Sequence, residues 1–533
     1  MRMTRGLSGH IPLALVIAGV LGAGMFTMPL PQTGSAAGPI TFVWGRAGDA
    51  DTLDNPVSTN GETSEVTTQI FNTLVRLRPG TVEVEPDLAT SWSVSPDGTV
   101  WTFKLRKGVT FHDGTPWNAE AAKLNIDRWS DKNNPYHQSG TDFYYWNDLL
   151  ADLFKEARAV DPETLQIVTS APFGAMLSDL TVIAFDFASP ASLKEYGGQG
   201  AGQHPVGTGP FKFVEWVRDD HITLVANSSF FRPGFPKMPR VIYRVIKDNA
   251  ARYLALKAGG AHAIELPNPD DVKTAQADPN LKVAFRSSFN TGWLHFNMNH
   301  PQFKDRRVRE AVALAINKRA IVEGLYGGFG EVADQLMPPV MWGRSSKVKA
   351  YPYNPERARK LLAEAGYANG FAVDFWYIPV SRPYFPQGKE IGTAIANDLG
   401  KVGIKANLMT EDWAAYGKDG RETLKFSAYM VGWIGDTGDP DDWLGFFFSR
   451  TKPSATRYSY DNPTVRELVA KARTLSSQAD RAKVYAQIQE IVANDIPLVP
   501  IAHSKTPLLM LKAVEGLIPH PNGNEYMETV SLR

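Results

Sequence analysis

Apolar positions recur along the chain in two rhythms. After Asp305, the residues Val308, Ala311, Val312, Ala315 and Ile316 keep the i, i+3, i+4 spacing of one buried helical face. Asn354-Pro355-Glu356 opens a second helix, with Asn354 suited to the N-cap and Pro355 to the first helical position. Leu361, Leu362 and Ala365 form its stripe, and Gly366 ends it. Asn462-Pro463 repeats that start ahead of Val465, Leu468, Val469 and Ala472. Apolar runs of strand length fall at Val100–Leu105, 371–378, Ile404–Met409 and 426–434.

The order of these elements in the second half predicts a layered α/β arrangement. The 371–378 strand is followed by a helical pattern (Ile391, Ala394, Ile395, Leu399, Val402) and then by the 404–409 strand. A short helical stretch at 412–418 leads to the 426–434 strand. Strand–helix–strand alternation predicts a largely parallel sheet, whose ligands bind beyond the carboxyl ends of the strands. Arg382 lies just past the first of these strands and Asp436 just past the third. A cation and an anion at one rim of one sheet suit a zwitterion. Two plainer readings stand beside this one. Asp436, in a Gly-Asp-Thr-Gly-Asp-Pro loop, can cap a turn, and Arg382 can pair with a neighbouring carboxylate at the surface. The cluster Asp436, Asp439, Asp441 and Asp442 also raises a calcium loop, but Pro440 occupies a ligand position and no Glu closes it in EF-hand order.

Length and composition narrow the class. A chain of 533 residues exceeds one hydrophobic core and predicts two or three domains. The hydrophobic share of 43% and charged share of 21% are those of a soluble globular protein. Lys+Arg and Asp+Glu both number 56, a balance that argues against a non-specific nucleic-acid or anionic-membrane surface. With no Cys, disulfides, thiol catalysis, Cys-ligated metal centres and a lipid-modified N-terminal Cys are excluded. The first 37 residues read as a secretory signal peptide. Arg2 and Arg5 precede an apolar stretch from about Ile11 to Met28, and Ser35-Ala36-Ala37 offers a cleavage site; an uncleaved anchor is the alternative. The expectation is a periplasmic protein, not a lipoprotein.

Catalytic signatures are absent from the sequence. It contains no P-loop, no His-Glu-x-x-His and no Ser flanked by Gly at −2 and +2. Gly328-Phe329-Gly330 with Ala333 follows a helix rather than a strand, so it does not make a dinucleotide fingerprint. His112, His295 and His503 read as packing residues rather than ligands. No catalytic residue, metal site or cofactor is expected. An exported hydrolase is the rival from another class.

Three blocks carry a family resemblance. Trp92 with the run from Ser95-Pro96-Asp97-Gly98-Thr99 to Phe111-His112-Asp113-Gly114 resembles the signature of the peptide/nickel class of bacterial ABC-importer binding proteins, solute-binding protein family 5. Pro205-Val206-Gly207-Thr208-Gly209-Pro210-Phe211 and Asp305-Arg306-Arg307-Val308-Arg309-Glu310-Ala311 resemble two further blocks, and the similarity runs from about residue 40 to the C-terminus. Within the family, Asn134-Pro135-Tyr136-His137, Pro338–Gly343 and the Arg382 and Asp436 segments resemble the dipeptide-binding members. The chain departs from them in lacking Cys and around Lys123-Leu124-Asn125, which leaves side-chain preference open.

The resemblance implies a periplasmic binding protein-like II fold, two hinged α/β lobes with an extra subdomain. It implies domain I from residues 38–81, 206–293 and 506–533, an extra domain from 82–205, and a third from 294–505. It implies a dipeptide or short-peptide ligand, with Arg382 on its carboxylate and Asp436 on its amino group. Trp433, Ile434, Gly435, Pro383 and Tyr384 would help to hold it, and Thr59 and Asn60 would add a contact from the N-terminal side. The implied partners are an ABC permease and its ATPase subunits, the protein itself being a monomer. Glutathione, haem, an oligopeptide or a nickel chelate are the alternative solutes within the family.

Overall fold

The computed structural model describes residues 40–137, 142–449 and 459–533; the signal segment read at residues 1–37 lies outside them. The sequence-level helix signals act as expected. The Asn354 side chain accepts from Arg357 N at 2.9 Å, starting helix Pro355–Glu364. Asp305 accepts from Arg307 N at 2.8 Å, starting helix Arg306–Ala315. Asn462 accepts from the amides of Thr464 and Val465, starting helix Pro463–Thr474. Each cap satisfies amides that have no partner within the helix. The predicted stripes Val308, Ala311, Val312, Ala315 and Leu361, Leu362 are buried. Beyond the second helix Gly366 adopts φ +90°, a conformation open to glycine.

Three main sheets carry the chain. The first has seven strands in the order Leu281–Phe285, Pro507–Leu511, Ala263–Glu265, Thr41–Arg46, Arg240–Val245, His221–Ala226, Phe211–Val217. The second is antiparallel, with four strands ordered Ala89–Val94, Val100–Leu105, Thr164–Thr169, Phe154–Asp161. The third has six strands ordered Gly330–Val332, Leu498–Ser504, Asn290–Phe296, Ala428–Ile434, Phe371–Trp376, Ile404–Met409.

This third sheet corrects one expectation. Phe371–Trp376 is parallel to both Ile404–Met409 and Ala428–Ile434, as the alternation predicts. Its other half is antiparallel, because Asn290–Phe296 pairs in reverse with both Ala428–Ile434 and Leu498–Ser504. The sheet is therefore mixed. Alternation within residues 371–434 gives no information on strands that enter from before and after that segment. All seven residues of Asn290–Phe296 are buried, as in a strand covered on both faces. Trp293 packs among Phe289, Trp443 and Phe447, while the adjacent Leu294 lies in the core with Val308, Ile391 and Ile395. Successive side chains of a strand point to opposite faces, so this one strand joins two cores. The parallel pair still directs two carboxyl ends, those of Phe371–Trp376 and Ala428–Ile434, to one edge.

Candidate functional site

The turn that carries Arg382 follows strand Phe371–Trp376. Arg382 and Phe385 exchange both backbone hydrogen bonds, at 3.1 and 2.9 Å, which closes the turn tightly. Two outside donors fasten it: the Ser504 hydroxyl to Pro383 O at 2.5 Å and the Tyr326 hydroxyl to Tyr384 O at 2.8 Å. The turn lies directly on the sheet because Gly292 and Gly432 face each other across adjacent strands. A Cβ on Gly432 would come within 2.2 Å of the Tyr384 ring, and one on Gly292 within 2.7 Å of Tyr384 O. Two missing side chains thus make the seat for this turn.

The Arg382 guanidinium stacks over the Trp413 indole at 4.6 Å. Its Nη1 stands 3.7 Å from Glu62 Oε1, close enough for ion pairing but beyond hydrogen-bond distance. Glu62 lies in the first turn of helix Gly61–Ile70. Asn60 is the N-cap of that helix and accepts from Glu62 N at 3.0 Å, so its side-chain oxygen is engaged in capping. Thr59 is exposed beside it.

Asp436 follows strand Ala428–Ile434 after a close passage: Gly435 N donates to Phe289 O at 2.9 Å, and a Cβ on Gly435 would meet the Phe289 ring at 2.3 Å. One carboxylate organises the loop. Asp442 Oδ2 accepts from the backbone amides of Asp436 and Thr437 at 2.8 and 3.2 Å, while its Oδ1 accepts from the Trp433 indole at 3.4 Å. Trp433 also stacks on Phe446 at 4.6 Å, and Ile434 is half-buried.

The acidic cluster divides by partner. Asp439 is held in a two-pronged pair by Arg481, both bonds at 2.6 Å. Asp441 lies 3.1 Å from Arg473 Nε. Asp442 serves the loop backbone. Asp436 has the Tyr145 hydroxyl, which donates to its Oδ2 at 3.0 Å, and no cationic partner among the described residues. A further buried carboxylate, Asp179, has no hydrogen-bond partner for either oxygen among the described residues. Burial pushes the Asp436 carboxyl up to about 7, and the Tyr145 hydrogen bond opposes that rise. Burial also raises Asp442 well above the usual carboxylate range, with repulsion from Asp436 adding to it. Asp179 is raised by burial and then by Asp441.

Arg382–Tyr384 and Trp433–Asp436 lie at or beyond the carboxyl ends of two neighbouring parallel strands of the six-stranded sheet, while Thr59 and Asn60 stand at the start of helix Gly61–Ile70, with Asn60 engaged in capping. Three neighbours escaped sequence reasoning: Glu62, Tyr145 and Trp413. An acidic residue in a first helical turn reads as a complement to the helix dipole, so Glu62 gave no separate signal. His112, half-buried, bonds Gly209 O through Nε2 at 3.0 Å, and His503, buried, bonds Asn290 O through Nδ1 at 3.0 Å. Among the described residues, no group of three or more His, Cys, Asp or Glu is arranged to hold a metal ion.

The comparisons agree with this architecture. The family model described as "Bacterial extracellular solute-binding proteins, family 5 Middle" matches residues 83–455. The chain is 32% identical to the Dipeptide-binding protein of Escherichia coli (strain K12), covering 98% of this chain and 99% of that one. It is 35% identical to Heme-binding protein A of Haemophilus influenzae over 87% of each chain. Among solved structures, the periplasmic binding protein DppA from Helicobacter pylori in complex with peptide STSA superposes with a TM-score of 0.84 at 30% identity, covering 93% of this chain and 98% of that one. The match spans nearly the whole α/β two-lobe fold, and the chain belongs to the bacterial extracellular solute-binding proteins of family 5.

Proposed function

We propose that this protein captures dipeptides or other short peptides outside the cytoplasm and delivers them to an ABC permease driven by separate ATPase subunits. Arg382 takes the peptide carboxylate and Asp436 its free ammonium group. Residues 382–384 and 433–436 border the peptide, with Thr59 and Asn60 on the side of helix Gly61–Ile70. The observation that carries the reading is a pair of opposite charge-bearing groups on loops leaving one edge of one sheet. Among the described residues, Asp436 is a carboxyl group without a cation in acid-rich surroundings, and no hydrogen bond engages the Arg382 fork. Arg offers parallel donors that match a carboxylate in a two-pronged contact. Each charge-assisted contact is worth about 1.5–3 kcal/mol, and 1.4 kcal/mol is about tenfold in affinity. The names of the Escherichia coli dipeptide-binding relative and of the Helicobacter pylori peptide complex support the same solute class, while Heme-binding protein A is named for a different solute.

In this reading the segments 38–81, 206–293 and 506–533 form one lobe, 294–505 the other, and 82–205 an extra domain. Hinge closure brings Glu62 and Tyr145 against the loops of the second lobe. The first 37 residues direct export to the periplasm and are removed. Calorimetry with Ala-Ala and N-acetyl-Ala-Ala tests the assignment. The free dipeptide binds, and acetylation, which removes the ammonium, weakens binding at least tenfold. Equal affinity for both overturns the role given to Asp436.

A further inference from the structure

The Arg382 guanidinium has a covered face, toward Trp413, and a flanking anion, Glu62, at 3.7 Å from Nη1. Glu62 is held in place from its backbone. Its amide donates to the Asn60 cap at 3.0 Å, and its carbonyl accepts from Arg46 Nη1 at 2.6 Å. Arg46 in turn pairs with Asp49 at 3.0 Å, so that nearby cation is engaged with a different carboxylate. Among the described residues, Arg382 is the one cation paired with the Glu62 carboxylate, whose side chain is 15% exposed. The anion is thus partly desolvated, fixed at a helix start, and sharing its counter-ion with the place where a ligand carboxylate would dock.

Two carboxylates on one guanidinium repel each other, and repulsion between partly buried charges a few ångströms apart is weakly screened. The carboxylate and the side chain of a peptide's last residue branch from the same Cα, so with the carboxylate on Arg382 that side chain starts near the guanidinium that Glu62 flanks. An acidic side chain there adds a third negative charge. A Lys or Arg side chain supplies the positive charge that Glu62 loses when its Arg382 is claimed. The exposed part of Trp413 offers an apolar wall for the aliphatic stem of such a residue.

We infer that Glu62 is a specificity-determining residue that selects peptides by the charge of their last side chain, favouring Lys or Arg and rejecting Asp or Glu. The inference rests on Arg382 holding the peptide carboxylate. It predicts a graded order in the wild-type protein: Ala-Lys binds tightest, Ala-Ala next and Ala-Glu weakest, with at least tenfold between the extremes at low ionic strength. In Glu62→Gln the Ala-Lys to Ala-Glu ratio falls to within about twofold, and Ala-Ala binds more tightly than in wild type because its carboxylate no longer shares Arg382.

Calorimetry of the three peptides against both proteins tests it. An unchanged Lys to Glu ratio in Glu62→Gln overturns the role of Glu62 while leaving peptide capture intact. Failure of all three peptides to bind the wild-type protein overturns the peptide reading and this inference with it.

Discussion

The role proposed for Asp436 ties solute capture to pH, because burial moves its carboxyl toward neutrality. Burial raises Asp436 from its ordinary value near 3.8 to about 7, so the folded chain takes up a proton that the unfolded chain releases. The sign follows: in the free protein this group costs stability as pH rises from about 4 to 7, and the full cost stands above 7. An ammonium ion at Asp436 reverses the balance, because it pairs with the ionised form. Dipeptide affinity therefore rises at least fivefold from pH 5.5 to pH 7.5, then falls above about pH 8 as the peptide's own amine deprotonates. Calorimetry across that range checks both limbs; Asp436→Asn flattens the acid limb, and a flat profile in the wild type contradicts it.

Arg382 makes a second case at this scale. Arg382→Lys keeps the charge but loses the fork and the planar stacking on Trp413, and weakens dipeptide binding at least tenfold with circular dichroism unchanged. Both residues were legible in the sequence because each sits just past a readable strand. Tyr145 was not: it reaches Asp436 across 291 positions of the chain, and no local pattern encodes such a contact.

Among the elements, capped helices were the most legible, since Asn354, Asp305 and Asn462 state their starts in a few residues. The strand Asn290–Phe296 escaped because a strand buried on both faces lacks the alternation that marks a half-exposed one. With it went the reversed half of the sheet and the reason for Gly292 and Gly432. Those glycines set the height of the Arg382 turn above the strands. Gly432→Ala forces the Tyr384 ring aside, costs about 1–3 kcal/mol as overpacking does, and lowers peptide affinity by displacing Arg382. Asn354→Ala, at a cap whose side chain bonds Arg357 N rather than the turn, loses about 1 kcal/mol of cap stabilisation and leaves affinity unaltered. Chemical denaturation paired with calorimetry separates the two outcomes; equal effects on affinity would remove the glycine seat from the account.

Over the whole molecule, several bonds that fasten distant segments end on backbone carbonyls. Gly174 N donates to Arg473 O at 2.7 Å, Arg473 Nη2 to Leu149 O at 2.6 Å, and Arg481 Nη1 to Gly174 O at 3.1 Å. These bonds tie the segment around the four-stranded sheet to the helices behind Asp439 and Asp441. The contacts of Tyr145 and Glu62 with the site are single side-chain contacts, which a solute can replace. Peptide at a hundred times its dissociation constant accordingly adds about 2.7 kcal/mol to stability, read as a rise in melting temperature, and small-angle scattering shows no expansion. A melting temperature unmoved by saturating dipeptide contradicts capture. The family blocks made this architecture legible from sequence, whereas which residues meet across it depended on the fold.

The bracket made by Asp442 has an evolutionary consequence. Because that carboxylate carries the amides of residues 436 and 437 and the Trp433 indole, the backbone of the loop is set independently of the side chain at position 436. One codon change at 436 can invert or abolish the charge offered there without rebuilding its support. Under the role proposed for Asp436, a lineage can in this way exchange one cargo for another while its scaffold is inherited intact.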